Sequence, residues 1–286
     1  MSTAVTSGSW PSATADTSTF TGLGTDHVRW GNVADGAKSG YVFRGGTVEV
    51  QLDGTEFTLG TFTHENFPIP ALPTPQFDVD LTVRVEFEDG TTSDFSFRFH
   101  HNETPNEGPA PEDLVDLPTF VSPEEVTVDG QKYQVVISGF KQNGQIVRQF
   151  VSAEGGANSA DVVALFARAG EPDVVLTNVH YRGQATQQAD EYVEIMNRGS
   201  EPADISGWRL GADDAGQDYV FPQGTVLQPG ERIRVYTNES HPEWGGHSYG
   251  INRPIWNNQG DTALLQNADG DTVSDLPYGN KVPATP

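Results

Sequence analysis

The strongest constraint on the fold is a strict alternation of apolar and polar residues between positions 77 and 99. Apolar side chains occupy every second position from Phe77 to Phe87, and polar or charged side chains occupy the positions between them. Asp89-Gly90 then reads as a turn, and Phe95 to Phe99 resume the alternation. Because side chains of a strand point alternately to the two faces of a sheet, this pattern predicts an antiparallel hairpin with one buried face.

Short segments rich in β-branched and aromatic residues continue along the rest of the chain, separated by Gly, Pro, Asn and Asp. This arrangement predicts an all-β protein made of two antiparallel β-sandwich modules. The segment 161–169 fits a strand or a short helix, since periodicity does not decide between them.

The length of 286 residues also favours two domains. Ala169–Pro172 contains Gly and Pro and is the predicted hinge. Residues 1–19 are predicted to be a flexible arm, with an early edge strand as the alternative. Residues 20–170 and 171–286 are predicted to be the two modules.

The charge balance narrows the choice of partner. The chain has 40 acidic and 16 basic residues, a formal net charge of −24. Such a surface repels phosphate backbones and anionic lipid headgroups, which argues against nucleic acid as a partner. The sequence has no apolar run long enough for membrane insertion and no cysteine, so disulfides are excluded.

The C-terminal part carries several separated motifs. Tyr192–Asn197 has strand character, Arg198–Pro202 is turn material, and Gly207-Trp208 opens the next apolar segment. Together with segments 221–225, 227–231, 233–237 and 255–265, this series resembles the lamin tail domain, found in nuclear lamins and many bacterial proteins. The resemblance implies an immunoglobulin-like sandwich for residues 171–286, with Trp208 and Trp256 in its core.

The N-terminal part has a second resemblance. Segments 57–69, 102–106 and 133–140, together with the hairpin, are similar to the bacterial choice-of-anchor K domain. That family shares a β-rich ectodomain and differs in C-terminal sorting signals. The chain ends Lys281–Pro286 without such a signal, which puts anchoring in doubt.

One catalytic motif is present. Gly246–Gly250 matches G-x-S-x-G, with Ser248 as the nucleophile. The hydrolase elbow requires a strand before this serine and a helix after it, whereas Ile251–Trp256 is a poor helix start. We therefore predict a Gly-rich loop and a protein that is not an enzyme.

Histidines and carboxylates are the candidate metal ligands of this sequence, which has no cysteine. His241, Glu243 and His247 offer zinc ligands, but their spacing is not H-E-x-x-H, and His64-Glu65 fails in the same way. His100 and His101 are adjacent on a strand and should point to opposite faces. No zinc site is predicted.

The sequence favours a protein without cofactors. The alternative with the better support is calcium, ahead of zinc. Asn267, Asp269 and Asp271 alternate oxygen donors as calcium loops do, without the Gly and the distal Glu of such loops. The same residues are typical of a β-turn between two strands, and we favour the turn.

The candidate binding residues are Trp244, His247 and Tyr249, in one Gly-rich loop. An exposed Trp244 would stack on a sugar or anchor a protein interface, and the alternative is a tryptophan folded onto its own domain.

These features favour a structural or adhesion protein. Residues 1–20 lack a signal peptide, so we expect a fibre, decoration or receptor-contact subunit of an extracellular assembly such as a virus tail or contractile injection apparatus, or a bacterial surface protein. Its partners would be proteins of that assembly or cell-surface glycans, and homo-oligomers fit the same role. The alternative is a secreted carbohydrate-binding or hydrolase-accessory module.

Overall fold

A computed structural model describes residues 2–33, 37–106, 111–117, 121–212 and 217–282. Within these ranges the chain is built of β-strands and four short 3-10 helices, without an α-helix, which confirms the predicted all-β class. The described helices are all too short to cross a bilayer. The chain divides into two compact units, Met1–Ala169 and Gly170–Pro286.

The described residues of the N-terminal unit form thirteen strands. They are β1 (Ser2–Ala13), β2 (His27–Trp30), β3 (Ser39–Arg44), β4 (Thr47–Val50), β5 (Phe57–Asn66), β6 (Gln76–Phe87), β7 (Thr92–Asn102), β8 (Asp113–Asp116), β9 (Val121–Val128), β10 (Gln131–Gln142), β11 (Gln145–Val147), β12 (Gln149–Ser152) and β13 (Gly156–Arg168), with a 3-10 helix at Thr17–Thr19. One sheet has the order β12-β8-β7-β6-β1-β4, and the other has the order β11-β10-β13-β5-β3-β2 with β9 beside β10. The segment 161–169 thus lies mostly in a strand.

The predicted hairpin is β6 and β7, which pair antiparallel from Phe77 opposite His101 to Glu86 opposite Thr92. The alternating apolar side chains are buried on one face, as the sequence predicts. They pack against apolar side chains of the second sheet, and the two sheets enclose one aromatic-rich core.

For residues 1–19 the sequence left a flexible arm and an early edge strand open; the structure corrects the arm, and it places the strand between β4 and β6, away from a sheet edge. Ser2–Ala13 is a strand that pairs with β4 over residues 2–5 and with β6 over most of its length. Ala4 and Trp10 are buried on its core face. Small and hydroxyl residues make this strand hard to recognise in the sequence, because Trp10 is the one large apolar side chain on its buried face.

Where the structure describes the C-terminal unit, it has ten strands in three sheets. They are β14 (Val174–His180), β15 (Tyr192–Asn197), β16 (Ala203–Asp204), β17 (Arg209–Ala212), β18 (Tyr219–Val220), β19 (Val226–Leu227), β20 (Arg232–Tyr236), β21 (His247–Ser248), β22 (Thr262–Gln266) and β23 (Thr272–Pro277), with 3-10 helices at Thr186–Gln188, Pro242–Trp244 and Gly279–Lys281. The sheet orders are β14-β15-β20-β21, β18-β17-β22-β23 and β16-β19.

The core of this unit lies between the two four-stranded sheets. Val193 and Ile195 contribute from β15, and Trp256 is 1% exposed in the same cluster. Trp208 packs against the core and stays partly exposed.

Candidate functional site

Trp244 lies against the sheet face opposite the core of the C-terminal unit. It ends a 3-10 helix, and its indole stacks on the guanidinium of Arg234, whose Cζ is 3.6 Å from the ring centroid. The same guanidinium lies 4.4 Å from the ring centroid of Tyr192 and forms an ion pair with Glu194 at 2.8 Å. Trp244 therefore contacts its own domain through one face and remains partly exposed.

A row of rings crosses the same sheet. His180, Tyr192 and Tyr236 are cross-strand neighbours on β14, β15 and β20. The centroids of His180 and Tyr192 are 5.2 Å apart, those of Tyr192 and Tyr236 are 5.2 Å apart, and His241 stacks on Tyr236 at 4.3 Å. We call these four rings, with Arg234 and Trp244, the aromatic strip.

The other two predicted binding residues have different surroundings. His247 Nδ1 is 2.9 Å from the Tyr219 hydroxyl, and the imidazole packs on Phe221. Tyr249 donates from its hydroxyl to the backbone oxygen of Leu210 at 3.1 Å. These contacts turn His247 and Tyr249 toward β17 and β18, whereas Trp244 faces Arg234.

His241 is held by two carboxylates. Its Nδ1 lies 2.9 Å from Glu243 Oε1 and its Nε2 lies 2.9 Å from Glu239 Oε2. Both ring nitrogens are thus engaged locally, and the structure does not bring His241 and His247 together as a zinc pair. Hydrogen bonds to Glu239 and Glu243 raise the pKa of His241 above its ordinary value.

We expect an NMR titration to place the midpoint of His241 above 6.5, the ordinary histidine value. Because the folded pKa is raised, the protonated ring stabilises the fold below the unfolded pKa, and this contribution is lost as pH rises through the folded pKa. Glu239→Gln should lower the midpoint, while the exposed control Glu201→Gln should leave it unchanged. An unshifted midpoint in the unsubstituted chain would contradict the observed carboxylate pairing.

The calcium candidates form the turn between β22 and β23. Asn267 Oδ1 accepts the backbone N–H groups of Asp269 at 3.1 Å and Asp271 at 2.8 Å. The amide oxygen that a calcium ion would require is therefore used to close the turn, as the turn prediction expects.

The G-x-S-x-G motif does not form a hydrolase elbow. Ser248 ends the two-residue strand β21, which is parallel to β20, and its Oγ accepts the backbone N–H of Gly250. The residues that follow, 249–256, have no helical structure.

A cluster of buried polar side chains lies inside the N-terminal unit, and the sequence patterns did not predict it. His64 on β5, His101 on β7 and Asp113 on β8 are each 0% exposed. One nitrogen of each imidazole and one carboxylate oxygen lie within 4.8 Å of one another. His64 Nε2 is 3.8 Å and His101 Nε2 is 3.9 Å from Asp113 Oδ2. We call these three residues the interior His–Asp cluster.

Ordered contacts surround the cluster. The Tyr41 hydroxyl is 2.7 Å from His101 Nδ1, and Glu103 Oε2 is 3.1 Å from His101 Nε2. Trp30 donates from Nε1 to Glu103 Oε2 at 3.2 Å. The backbone N–H of Thr104 donates to Asp113 Oδ1 at 2.8 Å.

Several buried polar atoms of this region lack a hydrogen-bond partner among the described residues. They are both ring nitrogens of His64, Oδ2 of Asp113 and Oε1 of Glu103. Buried polar groups are nearly always paired, so this concentration of unpaired atoms requires an explanation.

Burial controls the protonation of the cluster. It lowers the pKa of His64 well below its usual range and that of His101 to about 3. Burial, reinforced by the charge of Glu103, raises the pKa of Asp113 to about 8, and burial raises that of Glu103 to about 7. Both imidazoles are therefore neutral at pH 7, with a lone pair on one nitrogen each.

The positions of His100 and His101 show why the sequence did not predict the cluster. His100 and His101 do point to opposite faces of β7: His100 pairs with Asp78 on the exposed face, and His101 enters the core. Zinc-binding sequence motifs have ligands that lie close together in the sequence, whereas the partners of His101 come from two other strands.

A cavity of about 710 Å³ adjoins the cluster region. It lies between residues of the Pro68–Pro75 segment and residues 102–106, and Glu103 is part of its wall. Glu103 thus contacts both the cavity and His101.

One comparison with known families matches the C-terminal part of the chain. The family model of the Lamin Tail Domain matches residues 167–280, less than half of the chain, and supports the immunoglobulin-like fold predicted there. That fold family is non-catalytic. Residues 1–166 lie outside the match, so their similarity to the choice-of-anchor K domain stays a prediction. No curated protein matches the chain.

Proposed function

We propose, with a lamin-tail-like C-terminal unit as the premise, that this chain is a non-enzymatic structural or adhesion protein that contacts a protein partner through the aromatic strip. Its setting would be an extracellular assembly such as a virus tail or contractile injection apparatus, or a bacterial surface, with the chain as fibre, decoration or receptor-contact subunit. An N-terminal unit of the choice-of-anchor K type would fit the same setting.

The stack of Tyr192, Arg234 and Trp244 carries this proposal. Tyr, Arg and Trp are the residues most enriched at the energetic centres of protein interfaces. Here the guanidinium is already fixed between the two rings and by Glu194. Binding would lose little side-chain entropy, because the anchor residues are ordered before the partner arrives.

The charge of the chain suggests what the partner presents. A net charge of −24 favours a basic protein surface and gives a fast, salt-dependent approach. The aromatic strip would then supply the apolar contact once the two proteins have met.

The test uses the labelled full chain expressed in its native host. Particles are purified on a density gradient and imaged by negative stain with an antibody against the label. We expect labelled particles, and at least about tenfold less label with Trp244→Ala, as for an interface anchor. Recovery of the chain only as a free cytoplasmic monomer would overturn the proposal.

A matched control separates the strip from general loss of apolar surface. Val220 is 54% exposed on β18, in the other four-stranded sheet of the same unit. Val220→Ala should leave labelling at the level of the unsubstituted chain. Equal losses for Val220→Ala and Trp244→Ala would argue against the strip as the contact.

The carbohydrate-binding alternative also depends on Trp244. Sugar-binding sites use the face of an aromatic ring, and one face of this indole is covered by Arg234. That contact favours the protein interface over the sugar platform. Tight binding on a glycan array that disappears in Trp244→Ala would instead support the carbohydrate-binding module.

A further inference from the structure

We propose that the N-terminal unit binds one divalent transition-metal ion, best matched by Zn²⁺, through His64 Nε2, His101 Nε2 and Asp113 Oδ2. This inference is independent of the aromatic strip and of the partner proposed above.

The geometry of the donor atoms supports a bound ion. Asp113 Oδ2 lies 3.8 Å from His64 Nε2 and 3.9 Å from His101 Nε2, too far for hydrogen bonds. Ligands of a tetrahedral zinc ion, at about 2.0–2.2 Å from the metal, lie roughly 3.3–3.5 Å from one another. Inward shifts of a few tenths of an ångström would bring Asp113 Oδ2 to this distance from each imidazole, and the two imidazole nitrogens, which lie within 4.8 Å of each other, would close around the same ion.

The unpaired atoms point the same way. His64 is fully buried and both of its ring nitrogens lack a hydrogen-bond partner in the described part of the chain. Its Nε2 faces Asp113 Oδ2, which is also without a hydrogen bond. A cation at the centre of the cluster supplies the partner that these lone pairs lack.

Second contacts hold the ligands in place. The Tyr41 hydroxyl occupies His101 Nδ1, as a second contact does for metal-binding histidines, and leaves Nε2 to face Glu103 Oε2 at 3.1 Å and Asp113 Oδ2 at 3.9 Å. Thr104 fixes the other oxygen of Asp113 through its backbone N–H. Glu103, which contacts His101 Nε2 and lines the adjoining cavity, would exchange that contact for the ion as a fourth ligand, and the cavity would be the route of entry.

The chemical types of the three ligand atoms decide which metal the site would bind. Two neutral imidazoles and a carboxylate suit zinc and its first-row neighbours, whereas calcium and magnesium prefer oxygen ligands alone.

The position of the cluster defines what the ion would do. His64 lies in the sheet of β5, and His101 and Asp113 lie in the facing sheet of β7 and β8. A bound ion would link the two sheets of a chain that has no cysteine for a disulfide. Because the folded state alone assembles all three ligands, the metal would stabilise the sandwich.

The experiment uses the full chain, treated with chelator and then dialysed. Titration with Zn²⁺ and elemental analysis should give one ion per chain. At a free concentration about 100 times Kd, the unfolding midpoint of the N-terminal unit should rise by about 5–10 °C. X-ray absorption of the zinc-loaded chain should show two imidazole ligands.

Two variants test the assignment. His64→Gln and Asp113→Asn should each weaken Zn²⁺ binding more than about 100-fold, since even outer contacts of a site contribute 10–100-fold. The controls are His100→Gln, on the exposed face of the same strand, and His241→Gln, in the other unit. Both should bind as the unsubstituted chain does.

The unfolding midpoint of Asp113→Asn also separates metal binding from a purely structural role, because its difference from the unsubstituted chain should depend on Zn²⁺. The variant keeps the volume of the side chain and the oxygen that accepts Thr104 N–H. In chelator its unfolding midpoint should at least equal that of the unsubstituted chain, because the amide is neutral and has the same shape. With Zn²⁺ its midpoint should fall below that of the unsubstituted chain. Absence of stoichiometric binding, fewer than two imidazole ligands, or unchanged binding in both variants would overturn the proposal.

Discussion

Replacing Asn197 by Ala is expected to lower the free energy of unfolding of the C-terminal unit by about 4 kcal/mol, because several buried backbone groups lose their partner. Asn197 is 0% exposed at the end of β15. Its Oδ1 accepts the N–H groups of Asp173 and Gly199, and its Nδ2 donates to the carbonyls of Glu201 and Leu227. One amide thus closes the turn after β15.

Asn197→Asp should be at least as damaging, although the two side chains have nearly the same shape. The carboxylate keeps the two accepted N–H bonds but places negative charge against the carbonyls of Glu201 and Leu227. This result would show that the amide acts through its donors as well as its acceptor.

The measurement is urea unfolding of the full chain, followed by hydrogen exchange on peptides that cover 192–212. Asn178 is the control: it is exposed on β14, and Asn178→Ala should change stability by no more than about 0.5 kcal/mol. A loss below about 1 kcal/mol for Asn197→Ala would mean that water replaces the amide without penalty, against this account.

Phe62→Ala should lower the stability of the N-terminal unit by about 3–5 kcal/mol, through lost burial and the cavity left behind. Phe62 lies on β5 at the centre of the core and is 0% exposed. Its ring neighbours come from both sheets: Trp10, Tyr41, Phe99, Phe140 and Phe150. Close packing of these rings leaves little freedom for the site to collapse.

Denaturant unfolding with hydrogen exchange on peptides covering 57–66 and 92–102 measures the effect. Val151→Ala is the matched control, because Val151 is 47% exposed and belongs to the same unit. Its effect should stay within about 0.5 kcal/mol. If Phe62→Ala were equally mild, the centre of the core would have to lie elsewhere.

Local patterns predicted much of the fold. The alternation of β6 and β7 gave the buried face of the hairpin, and Tyr192–Asn197 is a strand with the predicted bounds. Asn267–Asp271 also form the predicted turn, because Asn and Gly report on turn geometry within four residues. These features depend on neighbours in sequence.

Local patterns did not place strand β1 within its sheet and did not reveal the interior His–Asp cluster. The strands that pair with β1 are β4 and β6, which are dozens of residues away. The cluster likewise joins strands β5, β7 and β8, and no spacing in the sequence encodes that meeting.

The sequence by itself determined that this protein is all-β and that its last third to half has lamin-tail character, because side-chain alternation and turn residues act over a few positions. Only the tertiary structure decided which side chains share an environment. It separated Trp244 from His247 and Tyr249, and it joined His64 to His101 and Asp113. The physical reason is that the pairing of distant strands, set by burial of the whole core, decides which polar groups meet and which stay without partners.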